Sequence, residues 1–273
     1  MAWFEAVIYG LIQGLSEFLP VSSSGHLALL PYVMNIKDPG VVFDLVMHLG
    51  TALAVIIYFR SDISQYAKTL TPSLVNLKTG NEASWFTRNF IFATFVSIFF
   101  IVCLLLPSKM ARTPWVIVFN LSFFGLLLWL ADMKNRKLEN HLDSPMERGM
   151  QWKLAGLLGL SQALAIFPGV SRSGITLSVA LFLGMKRKEA GQFSFLLSLP
   201  IILAGIFKEI PDLLKEGNTD SGGILLIGVV TSFVVGLVTI HFFMKLIGRI
   251  ELKYFTFYRW IIAALMAWSL LRV

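Results

Sequence analysis

Charged residues are scarce in this chain, and cysteine is almost absent. Only 14% of the 273 residues are charged, against roughly 25% in a typical soluble domain, whereas 56% are hydrophobic and the mean hydropathy is +0.74. This composition excludes an ordinary soluble domain and leaves several stretches long enough to cross a bilayer. The single cysteine, Cys103, excludes an intramolecular disulfide bond. We therefore expect a polytopic membrane protein.

Several common signals are also missing. The chain has no Walker phosphate loop, no HExxH element and no cysteine-based metal motif. Its N-terminus, MAWFEAV, lacks a basic region, and Gln13 and Glu17 interrupt the apolar run that follows, so we expect no cleavable signal peptide. The net charge of +7 is orientation charge in a membrane protein, which makes a nucleic-acid partner an unnecessary assumption.

One polar stretch occurs twice. Gly10 to Gly25 reads GLIQGLSEFLPVSSSG, and 149 residues later Gly159 to Gly174 reads GLSQALAIFPGVSRSG, with nine of sixteen positions identical. Two copies of a polar loop, separated by half the chain, indicate a two-fold repeat. The copies differ in their ionisable groups, because the first has an acid and is followed by an imidazole, whereas the second has a guanidinium.

Each copy interrupts a helix. Residues 1–19 have a helical pattern with Gln13 and Glu17 on one polar face, Pro20 ends the helix, and residues 26–32 are too short to cross a membrane. A second interrupted helix spans residues 154–184. We interpret both as re-entrant hairpins, which are tolerated at membrane depth only against protein or a water-filled cavity.

Six longer apolar segments are expected to be full crossings: 41–59, 90–106, 114–131, 192–207, 222–246 and 255–271. Residues 60–88 are expected to form a polar loop, and the charged stretch 132–153 separates a first repeat, 1–140, from a second, 141–273. Three crossings in each repeat are an odd number, so the second repeat must be inverted. The predicted fold is an all-α polytopic membrane protein with six full transmembrane helices plus two re-entrant helical hairpins in an inverted-topology repeat.

Lys and Arg residues predict the orientation. The loops on one side would carry six of them and the loops on the other side fifteen. The positive-inside rule then places both termini and the first hairpin on the outer side and the second hairpin on the cytoplasmic side.

The first loop has an acid and an imidazole that could transfer protons. A carboxylate at membrane depth costs about 2.5 to 3.5 kcal/mol, so Glu17, with Gln13 one turn earlier, should face a cavity, a metal ion or a cationic partner. An interfacial helix with this stripe among headgroups is the plain alternative. His26 could act as a general acid or base, or it could be structural. One turn also separates Asp44 from His48 on the first crossing, and here we favour a pair that satisfies itself.

Serines precede both half helices, namely Ser22, Ser23 and Ser24 in the first loop and Ser171 and Ser173 in the second. They could simply cap the helices. The same geometry also makes an anion site, because free N–H groups at a helix N-terminus and hydroxyl groups bind phosphate, and one serine could be a nucleophile. Arg172 needs an anion, which is either Glu17 or a phosphate group. Together these residue types favour a phosphate-handling site.

QGLSEFLPVSSSGH from Gln13, FPGVSRSGIT from Phe167 and QFSFLLSLP from Gln192 closely resemble the bacterial undecaprenyl-pyrophosphate phosphatase family of the BacA/UppP type. The resemblance covers essentially the whole chain, and this sequence takes the Gln option at Gln13. It implies hydrolysis of undecaprenyl pyrophosphate to undecaprenyl phosphate and inorganic phosphate on the outer face of the bacterial cytoplasmic membrane. It also implies a divalent cation such as Mg²⁺ or Ca²⁺, a role in bacitracin resistance, and a homodimer as one possible assembly.

The resemblance gives roles to individual residues. It places Gln13 and Glu17 in a metal and acid/base box and Ser23 and His26 in the catalytic stretch. It assigns Ser171, Arg172, Ser173 and Thr176 to the phosphate-binding loop. From the helix-start argument above, we add Ser22 and Ser24 of the first loop as phosphate-binding residues.

Our mechanistic hypothesis combines these roles. Arg172 and the helix N-termini hold the pyrophosphate, Glu17 and His26 manage protons, and Ser23 is the nucleophile unless a metal-bound water attacks directly.

Two other functions fit part of the sequence. Lipid phosphatases of the PAP2 type also have Ser-Gly-His and Ser-Arg elements, but they need a second histidine where this chain has Ser178. That type is therefore set aside. The inverted repeat itself is transporter-like, so a transporter or flippase of a lipid phosphate stays the alternative function.

Overall fold

The computed structural model describes residues 2–34, 36, 39–75, 82–105, 113–138, 152–215 and 222–272. Within these residues the chain is helical with no strand, which confirms the all-α class. The helices are α1 (Trp3–Ser16), α2 (Ser23–Met34), α3 (Val41–Tyr58), α4 (Arg60–Val75), α5 (Glu82–Leu105), α6 (Pro114–Leu138), α7 (Trp152–Ala163), α8 (Arg172–Phe182), α9 (Arg187–Lys215), α10 (Gly222–Leu246) and α11 (Lys253–Arg272). A short 3₁₀ turn, Leu164–Ile166, follows α7.

Long apolar helices confirm a polytopic membrane protein. Within the part of the chain that the structure describes, five helices, α5, α6, α9, α10 and α11, are long and apolar enough to cross a bilayer. A sixth span is possible if α3 and α4, which meet at a bend of 76°, count as one. The number of crossings and the inverted topology of the repeat stay predictions. The predicted boundary between residues 140 and 141 lies outside the described residues.

The expectation of a polar loop over residues 60–88 is wrong, because α4 occupies its first part and α5 begins at Glu82. The α4 helix is amphipathic: Ile63 and Tyr66 pack against the main hydrophobic core, while polar residues cover its other face. The side chain of Gln192 in α9 donates to Asp62 over 2.9 Å, which ties α4 to the helix bundle. A search for long apolar runs does not detect such a helix.

Two pairs of short helices form the expected hairpins. The second helix of each pair, α2 or α8, has 12 or 11 residues. Their lengths are therefore about 18 Å and about 17 Å, which is too short for a hydrocarbon core of about 30 Å. The breaks before α2 and α8 contain the two copies of the repeated motif.

Each hairpin packs against a helix from the other half of the chain. The α1 helix packs on α10, and α7 packs on α5. The two repeated glycines make both approaches possible, since a Cβ atom on Gly10 would lie 2.7 Å from the Gly228 carbonyl oxygen and one on Gly159 would lie 2.4 Å from that of Ala93. This exchange brings the tips of the two hairpins together inside the molecule.

Candidate active site

The two re-entrant loops have the same backbone geometry. Ser22 and Ser171, which are equivalent in the repeat, both have positive φ angles, of 76° and 72°. The Oγ atom of each serine accepts a hydrogen bond from a backbone N–H three residues later, that of Gly25 over 3.4 Å and that of Gly174 over 3.1 Å. Positive φ is unfavourable for serine, so these caps offset a local strain that both loops share.

Serine hydroxyls also link the two loops to each other. The Ser24 Oγ atom accepts from the Gly169 N–H over 3.5 Å, and the Ser173 Oγ atom donates to the Leu19 carbonyl over 3.2 Å. The N-termini of α2 and α8 are thereby held close together. Backbone N–H groups in the first turn of a helix have no partner within the helix, so two such termini form a site suited to an anion.

Glu17 is the centre of the polar cluster between these termini. It is only 7% exposed, and its carboxylate accepts hydrogen bonds from Arg172 over 2.5 Å, from Ser23 over 2.7 Å and from Gln13 over 3.0 Å. The structure therefore brings together the acid, the hydroxyl and the guanidinium that the sequence singled out. Of the two partners considered for Arg172, it shows the carboxylate.

His48 is a member of this cluster that the sequence analysis did not recognise. Its Nε2 atom lies 3.3 Å from Oε2 of Glu17, and its Nδ1 atom lies 2.7 Å from the backbone carbonyl oxygen of Asp44. The expected contact between Asp44 and His48 thus exists through the backbone carbonyl of Asp44, but the other ring nitrogen of His48 faces Glu17. A carbonyl only accepts, so Nδ1 carries a proton, which leaves Nε2 facing the carboxylate at a distance across which a proton can be exchanged. Glu17 and His48 together can store and release one proton.

The cluster opens into a cavity of about 470 Å³. Its polar lining consists of Glu17, Ser23, Ser24, His48, Gln162, Ser171, Arg172 and Lys208. Apolar side chains such as Leu45, Ile101 and Ile201 form the remaining wall. Ile101 and Lys208 lie toward the C-terminal ends of α5 and α9, the ends that the Lys and Arg count assigns to the outer side.

His26 lies apart from this cavity. Its Nδ1 atom donates to the Ser22 carbonyl oxygen over 2.8 Å, and its Nε2 atom lies 2.7 Å from the hydroxyl of Tyr258. Together with Tyr258 it lines a second, mostly apolar cavity of about 430 Å³ between α1 and α11. The sequence hypothesis gives proton roles to both Glu17 and His26, but the structure places them on different cavities, and the hydrogen bond to Tyr258 directs the His26 ring toward α11.

The predicted phosphate-binding residues fall into two groups. Ser24, Ser171 and Arg172 line the cavity. Ser22 and Ser173 instead hold the loops through the contacts described above. Thr176 is 1% exposed, donates to the Arg172 carbonyl over 2.7 Å and contacts the Ser194 hydroxyl at 2.5 Å, so it braces α8 against α9.

Few donors in this cluster suit a resident divalent cation. Gln13 offers a buried Oε1 atom without a hydrogen bond, but Glu17 is the single carboxylate among the described residues of the cluster, and Arg172 already compensates its charge. No group of three or more His, Cys, Asp or Glu side chains that could hold a metal ion occurs in the described part of the chain. Mg²⁺ and Ca²⁺ require about six or more oxygen ligands. These side chains alone therefore do not fit such an ion.

Comparison with known proteins identifies the family of this chain. The family described as bacitracin resistance protein BacA matches residues 6–265. An undecaprenyl-diphosphatase from Rubrobacter xylanophilus is 39% identical over 272 residues, and one from Aliivibrio salmonicida is 38% identical over 274 residues. Each alignment covers 98% of both chains. The chain therefore belongs to the BacA family.

Proposed function

We propose that this protein hydrolyses undecaprenyl pyrophosphate to undecaprenyl phosphate and inorganic phosphate. The family and the name shared by the two relatives support this activity. The observation that carries it is the contact of Glu17 with both Ser23 and Arg172 at two convergent helix N-termini. A nucleophile, a proton acceptor and an anion binder meet in one cavity there.

The nucleophile in this proposal is Ser23. Its hydroxyl donates to Glu17, which can take the proton as the oxygen attacks the terminal phosphorus atom. The bond between that phosphorus and the bridging oxygen breaks, and undecaprenyl phosphate leaves. Glu17 returns that proton to the departing undecaprenyl phosphate. Water then attacks the phosphoserine, and Glu17 accepts a proton from the water and passes it to the Ser23 oxygen as the phosphorus–serine bond breaks. Inorganic phosphate is released and the free serine is restored. Direct attack by water on the pyrophosphate is the alternative.

Arg172 and His48 support this chemistry. When the pyrophosphate enters, the guanidinium can turn from Glu17 to the phosphate oxygens, which leaves the carboxylate free to accept a proton. His48 lies next to the same carboxylate and can take up or return that proton through Nε2. In this scheme His26 holds the Ser22 backbone and does not exchange protons with Glu17.

A divalent cation in this reaction would arrive with the substrate. The protein supplies few oxygen ligands, and pyrophosphate oxygens are good ligands for Mg²⁺ and Ca²⁺. Binding of Ca²⁺ or Mn²⁺, measured by calorimetry, should then be weak for the protein alone and strong after inorganic pyrophosphate is added. Tight binding without pyrophosphate would contradict this part of the proposal.

We further place the protein in the bacterial cytoplasmic membrane, with both termini and the cavity on the outer side. The Lys and Arg asymmetry and the position of Lys208 in the cavity wall support this orientation. In that position it would recycle the lipid carrier of peptidoglycan synthesis, and its loss would raise bacitracin sensitivity. A homodimer stays a prediction.

The test is phosphate release from undecaprenyl or farnesyl pyrophosphate by purified protein in detergent, with and without EDTA. Wild type should release phosphate, and Glu17→Gln, which keeps the shape of the side chain, should lose at least about a hundredfold. Ser122→Ala is a matched control, because the hydroxyl of this serine donates to the Val118 carbonyl within its own helix, α6, and the carbonyl that accepts from Trp260 stays in the variant. An inactive but folded wild type, or an active Glu17→Gln variant, would refute the proposal.

The second cavity gives the transport alternative a structural basis. It is lined by Tyr254 at the start of α11, on the predicted inner side, and it meets the first loop at Val21 and His26. A lipid phosphate would need both cavities to cross the membrane, whereas hydrolysis needs one. Phosphate release in liposomes without net lipid movement would exclude transport, and movement without hydrolysis would favour it.

A further inference from the structure

Arg259 is a buried cation in the middle of α11. Its exposed fraction is 0%, and no carboxylate of the described residues forms an ion pair with it. Its guanidinium instead donates to five backbone carbonyl oxygens at distances from 2.9 to 3.4 Å, those of Pro20, Asn120, Leu121, Gly169 and Val170. A charge buried at this depth without an anion is costly, so its retention needs an explanation.

These carbonyls belong to both re-entrant loops. Pro20 lies in the first loop, Gly169 and Val170 lie in the second, and the other two acceptors are on α6. One planar group with five N–H donors therefore fixes the two loop tips relative to each other and to α6. A lysine at the same place would have three donors and no fork, and could not reach all of these acceptors in one plane.

The charge also lies directly behind the candidate phosphate site. An Nη1 atom of Arg259 would be 3.1 Å from a Cβ atom built on Gly174, in the first turn of α8. The N-terminus of a helix already carries a partial positive charge, so the guanidinium increases the positive potential there. An anion bound at the α8 terminus would offset both charges.

We propose that Arg259 is a positioning residue for the pyrophosphate, which holds the two helix N-termini in register and raises their positive potential without touching the substrate. This inference rests on the proposed phosphatase function. It assigns to α11 a part in a site that is otherwise built from the two repeated loops and α3.

Arg187 offers a matched control. It is 2% exposed, pairs with Asp132 and donates to the carbonyls of Ile247 and Ile250, but it does not line the Glu17 cavity. Both arginines thus stabilise the fold through buried carbonyls. Among the described contacts of the two arginines, those of Arg259 reach the re-entrant loops, whereas those of Arg187 join Asp132, Ile247 and Ile250.

The experiment compares Arg259→Lys, Arg259→Met and Arg187→Met with wild type. We measure kcat and KM, and the rise in thermal midpoint caused by inorganic pyrophosphate. We expect Arg259→Lys and Arg259→Met to lose at least about tenfold in kcat/KM and most of the pyrophosphate shift, with the larger loss in Met. Arg187→Met should have a lower midpoint but keep KM and the shift.

The outcomes separate this inference from the function. A wild type that is inactive but is stabilised by pyrophosphate, with the shift lost in Arg259→Lys, would refute the phosphatase and keep the positioning role. An active wild type with unchanged kcat/KM and shift in Arg259→Lys would refute the positioning role alone. If Arg259→Met fails to fold, Arg259→Lys decides the question. Equal losses of kcat/KM and of the pyrophosphate shift in Arg187→Met, or no pyrophosphate shift in wild type, would also refute the positioning role.

Discussion

Buried charges at membrane depth each have a different kind of partner here. Glu17 is paired with Arg172, whereas Arg259 is surrounded by backbone carbonyls. The first arrangement can change when a phosphate group competes for the guanidinium. The second arrangement is fixed, because backbone carbonyls already accept the hydrogen bonds of the Arg259 guanidinium. Chemistry is therefore expected from the Glu17 cluster and support from Arg259.

The two histidines near the loops should differ in importance. His48 contacts Glu17, so His48→Gln should lower kcat by about a hundredfold, as for removal of a proton-transfer group. Tyr258→Phe removes the partner of His26 in the second cavity and should cost less than about tenfold. Steady-state phosphate release measures both. A near-normal His48→Gln, or an equal loss in Tyr258→Phe, would contradict the assignment of proton transfer to His48.

The sequence predicted some of this cluster and missed the rest for a physical reason. Glu17, Ser23 and Arg172 stood out because polar groups in apolar, repeated stretches are visible without a structure. His48 was not recognised, since its contact with Glu17 depends on how α3 packs against α1. Arg259 was not recognised either, because its partners are carbonyl oxygens, which every residue has.

At the level of elements, the tight turn before α8 is the most constrained part of the second loop. Gly169 has a φ angle of 87°, and a Cβ atom there would lie 2.8 Å from the Ile117 carbonyl oxygen. The side-chain amide of Asn120 donates to the preceding carbonyl, that of Pro168, over 2.7 Å. These contacts fix the orientation of α8, whose N-terminus faces the cavity.

Gly169→Ala should therefore destabilise this loop. A side chain at positive φ costs about 1 to 3 kcal/mol, and the close carbonyl adds a steric clash. We expect a lower thermal midpoint in detergent and reduced phosphate release. Gly248→Ala is the control, because nothing lies within 4 Å of a Cβ atom at that position. Equal stability of the two variants would show that the loop can adapt.

The hairpins were predictable as elements, whereas α4 was not. The repeated motif predicted both hairpins, because Pro20 and Pro168 interrupt the helical pattern and serines follow each of them. The α4 helix has a mixed composition and is stabilised by contacts such as that between Gln192 and Asp62. Such contacts depend on tertiary packing, which a search for apolar runs does not include.

At the level of the whole molecule, the orientation determines which face of the membrane the cavity reaches. Thr113 lies just before α6 and Glu251 just before α11, and the Lys and Arg count places them on opposite sides. In a Cys103→Ser background, Thr113→Cys should react with a membrane-impermeant maleimide in intact cells. Glu251→Cys should react only in inverted vesicles. The reverse pattern would place the cavity on the cytoplasmic face.

The two halves of the chain contribute different groups to one site. The first loop supplies Glu17 and Ser23, the second supplies Arg172, and each hairpin packs on a helix of the other half. Among the described residues that line the cavity, the carboxylate comes from the first half and the guanidinium from the second. Hydrolysis at this site therefore requires that the two loops act on the same pyrophosphate.

A double-mutant cycle on kcat/KM tests that requirement most directly. We would measure phosphate release by wild type, Ser23→Ala, Arg172→Ala and the double variant, all confirmed as folded by their thermal midpoints. Groups that act as a unit give losses that do not add, so the double variant should be little worse than the poorer single variant. Losses that multiply, or a single variant that keeps wild-type activity, would contradict a shared site.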